Sequence, residues 1–493
     1  MPSFVIPEKC DGCKALDKTA CQHICPNDLM VLDKETMKAY NRDVAMCWEC
    51  YNCVKICPTQ AIEVRGYADF IPMGASATPM RSTDSILWTV KFRNGTIKRF
   101  KFPVRTTPEG AAAPDGGYET KIDLDSPALF TEPASLGLPE VFTLKNYGGT
   151  RMANFETVVV ETDLLILGGG MAACGAAVEA AYWAKQNGLK VTLVDKAAVD
   201  RSGAVAMGLS AINQYVGLRD GKNTVKDYVD YVRNDLMGIT REDLVANIAR
   251  HVDSTVHLFE KWGLPIWKDE NGDYVHEGRW QLMINGESYK VVVAEAAKNA
   301  LLQNGVGQVF ERVFIVGPLM DGDRCAGAVG FSVRENMFYV FKARATLAAM
   351  GGAVHVFKPR SSGEGMGRAW YPPWNSGSSA YFTIKAGAEM TCQEVRFIPV
   401  RFKDAYGPVG AWFLMFKSRA TNAMGGDYMV ERKPELEKWA PYGRVKPIPA
   451  NLRNYLGMLD VMEGKGPSTC APRKPLERSP TPTRMPRRPT RRR

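Results

Sequence analysis

Cys47-Trp48-Glu49-Cys50-Tyr51-Asn52-Cys53-Val54-Lys55-Ile56-Cys57-Pro58 sets four cysteines at steps of three, three and four residues and ends in Cys-Pro. Upstream, Cys10-x2-Cys13-x7-Cys21-x3-Cys25-Pro26 repeats the pattern with a longer middle gap. Thiolates two residues apart reach one iron–sulfur cube, and the fourth cysteine of each such run ligates the other cluster. The spacing therefore predicts one [4Fe–4S] cluster on Cys47, Cys50, Cys53 and Cys25, and a second on Cys10, Cys13, Cys21 and Cys57. Structural zinc takes four ligands in two pairs, which leaves the extra step and the Cys-Pro ends unexplained. Disulfides are not expected, because no secretory signal precedes the run. Eight of the twelve cysteines lie here, and two clusters in series mean electron transfer. Trp48, between Cys47 and Cys50, reads equally as a contact toward the next redox centre or as a packing residue.

Outward from this run the chain changes character. Ile86–Phe92 and Ile97–Phe102 are strand-like and joined across Arg93-Asn94-Gly95-Thr96, a hairpin signal. From Pro103 to Gly149 Pro and Gly are frequent and no period is sustained, which predicts a linker or an arm lying on a partner surface. The 493 residues, 45% hydrophobic and 24% charged, exclude a wholly disordered or fibrous chain. Leu164–Val178 carries no charge but is Gly/Ala-rich and too short to span a bilayer, so the protein is expected to be soluble and cytoplasmic. The net charge of +10 is concentrated at the end. Residues 466–493 hold nine Lys/Arg against Glu477 alone, +8 of the total, so the charge gives no reason to expect nucleic acid as a partner of the core.

The second informative block is the apolar strand Glu161–Leu167, which runs into Gly168-Gly169-Gly170-Met171-Ala172-Ala173. A helix follows to Asn187-Gly188, then a second strand, Lys190–Val194, ending at Asp195-Lys196. Glycines at these points allow a tight turn and bring backbone amides to a pyrophosphate at the helix N-terminus, while the acid takes a ribose hydroxyl. Gly168, Gly169, Gly170, Ala173, Asp195 and Lys196 are thus candidate dinucleotide contacts. Thr240–Trp262 reads as a helix capped by Thr240, with Leu244, Ile248, Val252, Val256 and Phe259 as core positions. His251 and His257 within it carry no ligand spacing.

Arg201-Ser202-Gly203-Ala204-Val205-Ala206-Met207-Gly208 resembles the flavin-contacting segment of fumarate reductase and succinate dehydrogenase flavoproteins. Those enzymes attach the flavin through a histidine where this chain has Gly203, so the resemblance implies non-covalent FAD, with Ser202 and Gly203 among its contacts. Ala349-Met350-Gly351-Gly352-Ala353 is similar to a later flavin segment of that superfamily and adds Gly351 and Gly352. The combination of both blocks resembles the dissimilatory adenylylsulfate (APS) reductases. In that family a beta subunit carries two clusters and an alpha subunit carries FAD. The resemblance rests on Cys-Asp-Gly-Cys-Lys-Ala-Leu at 10–16, Cys-Trp-Glu-Cys-Tyr at 47–51, Ala-Val-Ala-Met-Gly-Leu-Ser-Ala-Ile-Asn at 204–213 and Arg-Phe-Lys-Asp-Ala-Tyr-Gly-Pro-Val-Gly-Ala-Trp-Phe-Leu at 401–414. It covers residues 1 to about 465, with Met152 like the start of an alpha subunit.

The resemblance implies an α/β plus α+β architecture. A ferredoxin-like two-cluster domain spans 1–67, a β-hairpin segment 68–105 and an extended arm 106–151. A Rossmann-like FAD-binding domain follows over 152–400, then a partial capping domain over 401–465 and a disordered basic tail over 466–493. It implies reversible two-electron reduction of APS to sulfite and AMP through a flavin–sulfite adduct. It further implies catalytic roles for Asn213, Glu277, Trp370, Arg401 and Arg453, substrate contacts from Tyr231, Phe413 and Leu414, and electron transfer past Trp48. Alpha–beta heterodimers and a membrane quinone-linked oxidoreductase complex are the family's implied partners. Two other functions compete: a dicarboxylate-reducing fumarate reductase relative, which the absent attachment histidine opposes, and a non-catalytic ferredoxin-type carrier.

The alpha-like part stops near Gly464 without the late return that closes the flavin site in such flavoproteins, and a Pro/Arg/Thr-rich tail follows. The expectation is a joined, truncated version of two adjacent genes with the tail out of frame. In this polypeptide clusters should then form while FAD binding and catalysis are weak or absent. Resequencing the coding DNA across codons 140–160 and 455–493 checks this: a corrected base should restore separate frames, and tight stoichiometric FAD with normal turnover in the chain as written would overturn it.

Overall fold

The computed structural model describes residues 3–14, 16, 18–44, 47, 50–65, 76–81, 85–92, 95–103, 156–353, 375–393, 419–466 and 469–471. The chain divides into two compact units, the larger holding both the cysteine runs and the glycine-rich block.

The cysteine runs lie among short elements. Strand β1 (Ser3–Val5) precedes helix α1 (Ala20–Ile24); β2 (Met30–Asp33) and β3 (Lys38–Asn41) form a hairpin; helix α2 (Asn52–Ile56) leads to β4 (Ile62–Arg65). Helices of five residues do not persist in isolation. Here they are held by a common core of Cys10, Cys21, Ile24, Cys25, Met30, Cys53, Val54, Ile62 and Val64. Strands β5 (Ser76–Arg81), β6 (Ser85–Lys91) and β7 (Ile97–Pro103) continue β1 and β4 into one five-stranded antiparallel sheet, ordered β1-β4-β5-β6-β7. The boundary expected at residue 67 therefore crosses a continuous sheet, through Val64 opposite Ala77. Trp88 of β6 packs on the cysteine core and meets Tyr51 edge to face at 6.5 Å. The predicted hairpin closes between Phe92 and Thr96, whose carbonyl accepts from Phe92 N at 2.8 Å, and Gly95 takes φ +84°. The arm at 106–151 lies outside the described residues.

The larger sheet is mixed. Strands β8 (Glu156–Leu167), β9 (Val191–Val194), β13 (Gly307–Phe310), β14 (Val313–Asp321), β15 (Arg324–Ser332) and β16 (Met337–Ala348) take the order β13-β9-β8-β16-β15-β14. Pairings from β13 to β16 are parallel, and those of β15 with its neighbours antiparallel. Both faces are covered, which is why the inner strands read as near-continuous apolar runs. Ile166 points to a core with helix α3 (Met171–Asn187), whereas Leu165 and Leu167 pack opposite with Tyr339 and Phe341. Ala177, Ala181 and Ala184 line the buried stripe of α3, and their small size lets the helix lie close to the sheet and to α6 (Tyr289–Leu302). Gly188 ends α3 in the left-handed conformation at φ +63°, as the Asn-Gly signal predicts.

Between β9 and β13 lie a small sheet of β10 (Ala211–Ile212), β12 (Gln281–Met283) and β11 (His276–Glu277), and helices α4 (Val225–Asp235) and α5 (Glu242–Lys261). Two expectations for α5 are corrected. Its N-cap is Arg241, not Thr240, and Arg241 supplies no side-chain cap but pairs with Asp243 at 2.6 Å. Leu244 and Ile248 are exposed, at 47% and 51%, while Ala249, Asp253, Val256 and Phe259 are buried. The cause is Asp253. Its carboxylate turns inward to accept from Val216 N and Leu218 N, each at 2.8 Å, and that fixes which face of the helix is covered. His257 has a hydrogen-bonding role, between the hydroxyls of Tyr215 (3.4 Å) and Tyr274 (3.0 Å).

The second unit takes residues 231–238 and the described residues from Arg419 onward. Strands β17 (Arg419–Thr421) and β18 (Thr469–Ala471) pair antiparallel; α8 (Tyr428–Glu431), α9 (Lys433–Leu436) and α10 (Ala450–Met462) pack through Tyr428, Leu436, Leu452 and Leu456. The fully buried Asp460 is held by Asn422 Nδ2 at 2.8 Å and by Arg432 Nε. Among the described residues no helix is long and apolar enough to cross a membrane.

Phe341 lies fully buried at the centre of the large sheet, against Tyr339 and Phe310. Phe341→Ala should cost about 3–5 kcal/mol through lost burial and a residual cavity. It should lower the denaturation midpoint followed by circular dichroism.

Candidate redox and dinucleotide site

The two cysteine runs interleave in space. One cavity is lined by Cys25, Cys47, Cys50 and Cys53; the other by Cys10, Cys13, Cys21 and Cys57. Each thus takes three thiols from one run and the fourth from the other, which is the exchange expected from the spacing. The local backbone permits it: Cys13 and Tyr51 adopt positive φ, at 53° and 58°, turning the chain around each cavity. Backbone amides are aimed at sulfur, among them Leu29 N donating to Cys25 Sγ (3.3 Å), Ala39 N to Cys10 Sγ (3.4 Å) and Ala61 N to Cys57 Sγ (3.2 Å). Donors of this kind stabilise thiolate. Burial acts the other way, pushing the Cys21 and Cys50 thiols up to about 12 and Cys53 well above the ordinary thiol range. Thiolates in such surroundings need the positive charge of bound metal, so the donor set fits iron–sulfur clusters. Trp48 lies outside the described residues.

The glycine block opens on a cavity of about 470 Å³, a size suited to a cofactor. Gly168, Gly169, Gly170, Asp195, Lys196, Ser202, Gly203, Gly351 and Gly352 all line it, joining four segments expected to cooperate. At Gly168, φ is +109° and an added Cβ would lie 2.4 Å from Ala349 O; at Gly169 it would lie 2.8 Å from Asp195 Cγ. These two positions let the residues that follow β16 and β9 approach the glycine turn after β8. The N-terminus of α3 lines this cavity, and its dipole favours an anion. Asp195 receives Gly169 N at 2.9 Å and Ala197 N at 3.1 Å, and burial raises its pKa against those bonds. Burial lowers the pKa of Lys196, whose Nζ lies 5.4 Å from the centre of the Phe314 ring.

Ala173 is the exception. It lines no part of the cavity but is fully buried in the helix–sheet core, where the third small residue of the motif permits close packing. Sequence reasoning missed Asn375, Ser378 and Ser379, which complete the wall from the start of helix α7 (Ser378–Lys385). Asn375 Oδ1 is buried without a hydrogen-bond partner among the described residues, a polar atom left for a ligand. No motif marks this segment; only folding brings it to the glycine loop. Also unanticipated is Lys290, 1% exposed, whose Nζ donates to Val199 O and braces the turn leading to Ser202.

The other expected residues are placed unevenly. Asn213 directly follows β10 and is exposed, while Glu277 pairs with Gln281 across β12, so the two flank one short sheet. Tyr231 and Arg453 belong to the second unit. Burial raises the Tyr231 pKa, with Asp235 adding to the rise and Arg453 opposing it. None of these four lines the 470 Å³ cavity. Trp370, Arg401, Phe413 and Leu414 lie outside the described residues.

Because the fourth thiols are exchanged, Cys57→Ser should remove the cluster signal of the Cys10, Cys13 and Cys21 run, and Cys25→Ser that of the other, each read by electron paramagnetic resonance and iron content. Gly169→Ala should abolish FAD retention, measured by absorbance of the desalted protein, while leaving both clusters in place.

Comparison with known proteins agrees with this geometry. Residues 9–61 match a 4Fe-4S dicluster domain, 64–143 the adenosine-5'-phosphosulfate reductase beta subunit, and 163–445 an FAD binding domain. The adenylylsulfate reductase subunit beta of Megalodesulfovibrio gigas is 59% identical over 141 residues, 29% of this chain and 84% of that protein. The subunit alpha of the same organism is 51% identical over 359 residues, 67% of this chain and 53% of that protein. Among solved structures, adenylylsulfate reductase from Archaeoglobus fulgidus is 60% identical with TM-score 0.60, covering 64% of this chain and 50% of that one. An adenosine-5-phosphosulfate reductase in complex with sulfite as a covalent adduct gives the same identity and TM-score, with 49% of its chain covered. The chain spans about half the length of the alpha-subunit relatives it matches. With a dicluster domain continuous in sequence with a flavin domain, and with 84% of a beta subunit covered at 59% identity, the chain belongs to the adenylylsulfate reductase family, a beta-subunit sequence joined to the FAD-binding part of an alpha subunit.

Proposed function

We propose that the chain acts as an adenylylsulfate reductase, interconverting APS and two electrons with sulfite and AMP. The observation that carries this reading is the presence, in one compact unit, of two four-cysteine cavities and a dinucleotide cavity. FAD, when bound, exchanges an electron pair with the sulfur centre. The chain's own residues do the rest. The eight cysteines hold the clusters in the exchanged arrangement, with Trp48 on the electron path. The amides at the start of α3, with Ser202, Gly203, Gly351 and Gly352, seat the dinucleotide, and Asp195 accepts from its ribose.

Substrate binding falls to the residues that the resemblance assigns. Arg401 and Arg453 offset the charge of the sulfonyl and phosphate oxygens as charge moves to the leaving group, a task suited to guanidinium forks. Asn213, Glu277 and Trp370 orient the sulfur end, and Tyr231, Phe413 and Leu414 enclose the nucleotide. The domain limits proposed are 1–67, 68–105, 106–151, 152–400, 401–465 and 466–493, the first two sharing a sheet. A cytoplasmic location and a membrane quinone-linked complex as electron partner complete the reading.

The test uses the full chain, reconstituted anaerobically with iron, sulfide and saturating FAD. Turnover is expected to be weak in this chain, and what there is should be sulfite oxidation by ferricyanide that requires AMP, with sulfite bleaching the flavin band. Fumarate-dependent reoxidation without any AMP requirement would sink the assignment in favour of a dicarboxylate reductase. Arg401→Ala and Arg453→Ala should each lower kcat/KM for APS by about ten- to a hundredfold, the loss expected for a charged hydrogen bond.

A further inference from the structure

The cluster-bearing and flavin-bearing halves of the larger unit meet through two ionic contacts of opposite polarity. In the first, Lys55 of α2, its side chain 1% exposed, lies 2.6 Å from Glu287. Lys55 stands between Cys53 and Cys57, and its Nζ also donates to the carbonyl of Cys50 at 3.5 Å. Glu287 in turn offers its own carbonyl to Arg201 Nη1 at 3.4 Å, and Arg201 immediately precedes Ser202 and Gly203 of the dinucleotide cavity. In the second contact the charges are reversed. Asp28, three residues past Cys25, receives Arg334 at 2.5 Å, while Arg312, 5% exposed, donates to the carbonyl of His23 at 2.6 Å.

The contacts do not line the cavity but attach to two of its thiol segments, Lys55 through the Cys50 carbonyl and Asp28 three residues past Cys25. A displaced docking would bring like charges together, so the alternation of sign specifies one seating of the cluster half on the flavin half. The two are not equally exposed to solvent. The cations of both contacts are buried, but Glu287 is less exposed than Asp28, 21% against 37%, and the Lys55 ammonium at 1% has no water to turn to if Glu287 is neutralised. We propose that the buried Lys55–Glu287 pair is the positioning element that seats the Cys25, Cys47, Cys50 and Cys53 cluster against the flavin and so sets the rate of electron passage between them. The inference rests on the reading that electrons run from clusters to FAD. Each step moves one electron: the cluster is oxidised by one and the flavin reduced by one.

The experiment uses the full chain reconstituted as above, with one electron delivered by a photoexcited deazaflavin. The rate at which it reaches the flavin is followed in the cluster and flavin absorbance bands. Glu287→Gln keeps the shape and leaves Lys55 unpaired. With cluster and FAD content unchanged, transfer should slow at least about tenfold, because the docked arrangement is less populated. Lys55→Met/Glu287→Gln removes the orphan charge without restoring the contact, so it should load fully yet still transfer at least about threefold more slowly than the unmodified chain. An unchanged rate in loaded Glu287→Gln overturns the proposal. Should the single variant fail to load, the double variant decides: loading with slowed transfer supports the pair, and a normal rate or persistent failure to load overturns it. Absence of AMP-dependent sulfite oxidation in the unmodified, loaded chain marks failure of the functional reading instead, and the inference falls with it.

Discussion

The exchange of the fourth cysteine between the two runs is the constraint on which the N-terminal half depends. Cys25 lines the cavity of the later run and Cys57 that of the earlier one. Neither half can complete a site alone, so the two five-residue helices and the β2–β3 hairpin are held by shared thiols as much as by apolar burial. The core of this half is small and rich in cysteine, and bound metal would contribute folding energy directly. The same half extends its sheet through β5 to β7, adding apolar cover from Trp88 that the cysteine segment lacks on its own.

The flavin half works by close approach rather than by shared ligands. Ends of β8 and β16, the start of α3 and the turn after Arg201 converge because glycine at 168 and 169 leaves no side chain between them. The resulting cavity presents amides and few charges: Asp195 is engaged by two backbone donors and Lys196 is partly desolvated. Such a wall recognises a dinucleotide by shape and oriented dipoles, with little electrostatic attraction to distinguish one anion from another.

Much of this was legible in order along the chain. The cluster ligands, the strand–glycine–helix unit, Asp195, the later Gly351-Gly352 segment and the β6–β7 hairpin were read from spacing, turn chemistry or resemblance, and the cysteines and glycines among them line three cavities. The failures share a cause. The α5 pattern put Leu244 and Ile248 in the core, but the inward Asp253 carboxylate and its two amide donors set the face instead. Ala173 was read as a cofactor contact because it belongs to the motif, yet its place in the motif serves helix–sheet packing.

By itself the sequence determined which residues can hold iron and where a dinucleotide can approach the backbone, because cysteine spacing and glycine placement are local, short-range requirements. Only the tertiary structure decided that Asn375 and Ser379 complete the flavin wall, that Lys290 braces the turn before Ser202, and that Lys55 meets Glu287. These contacts join residues separated by tens to hundreds of positions. No periodicity encodes them, and they arise when burial forces each polar group to find a partner inside.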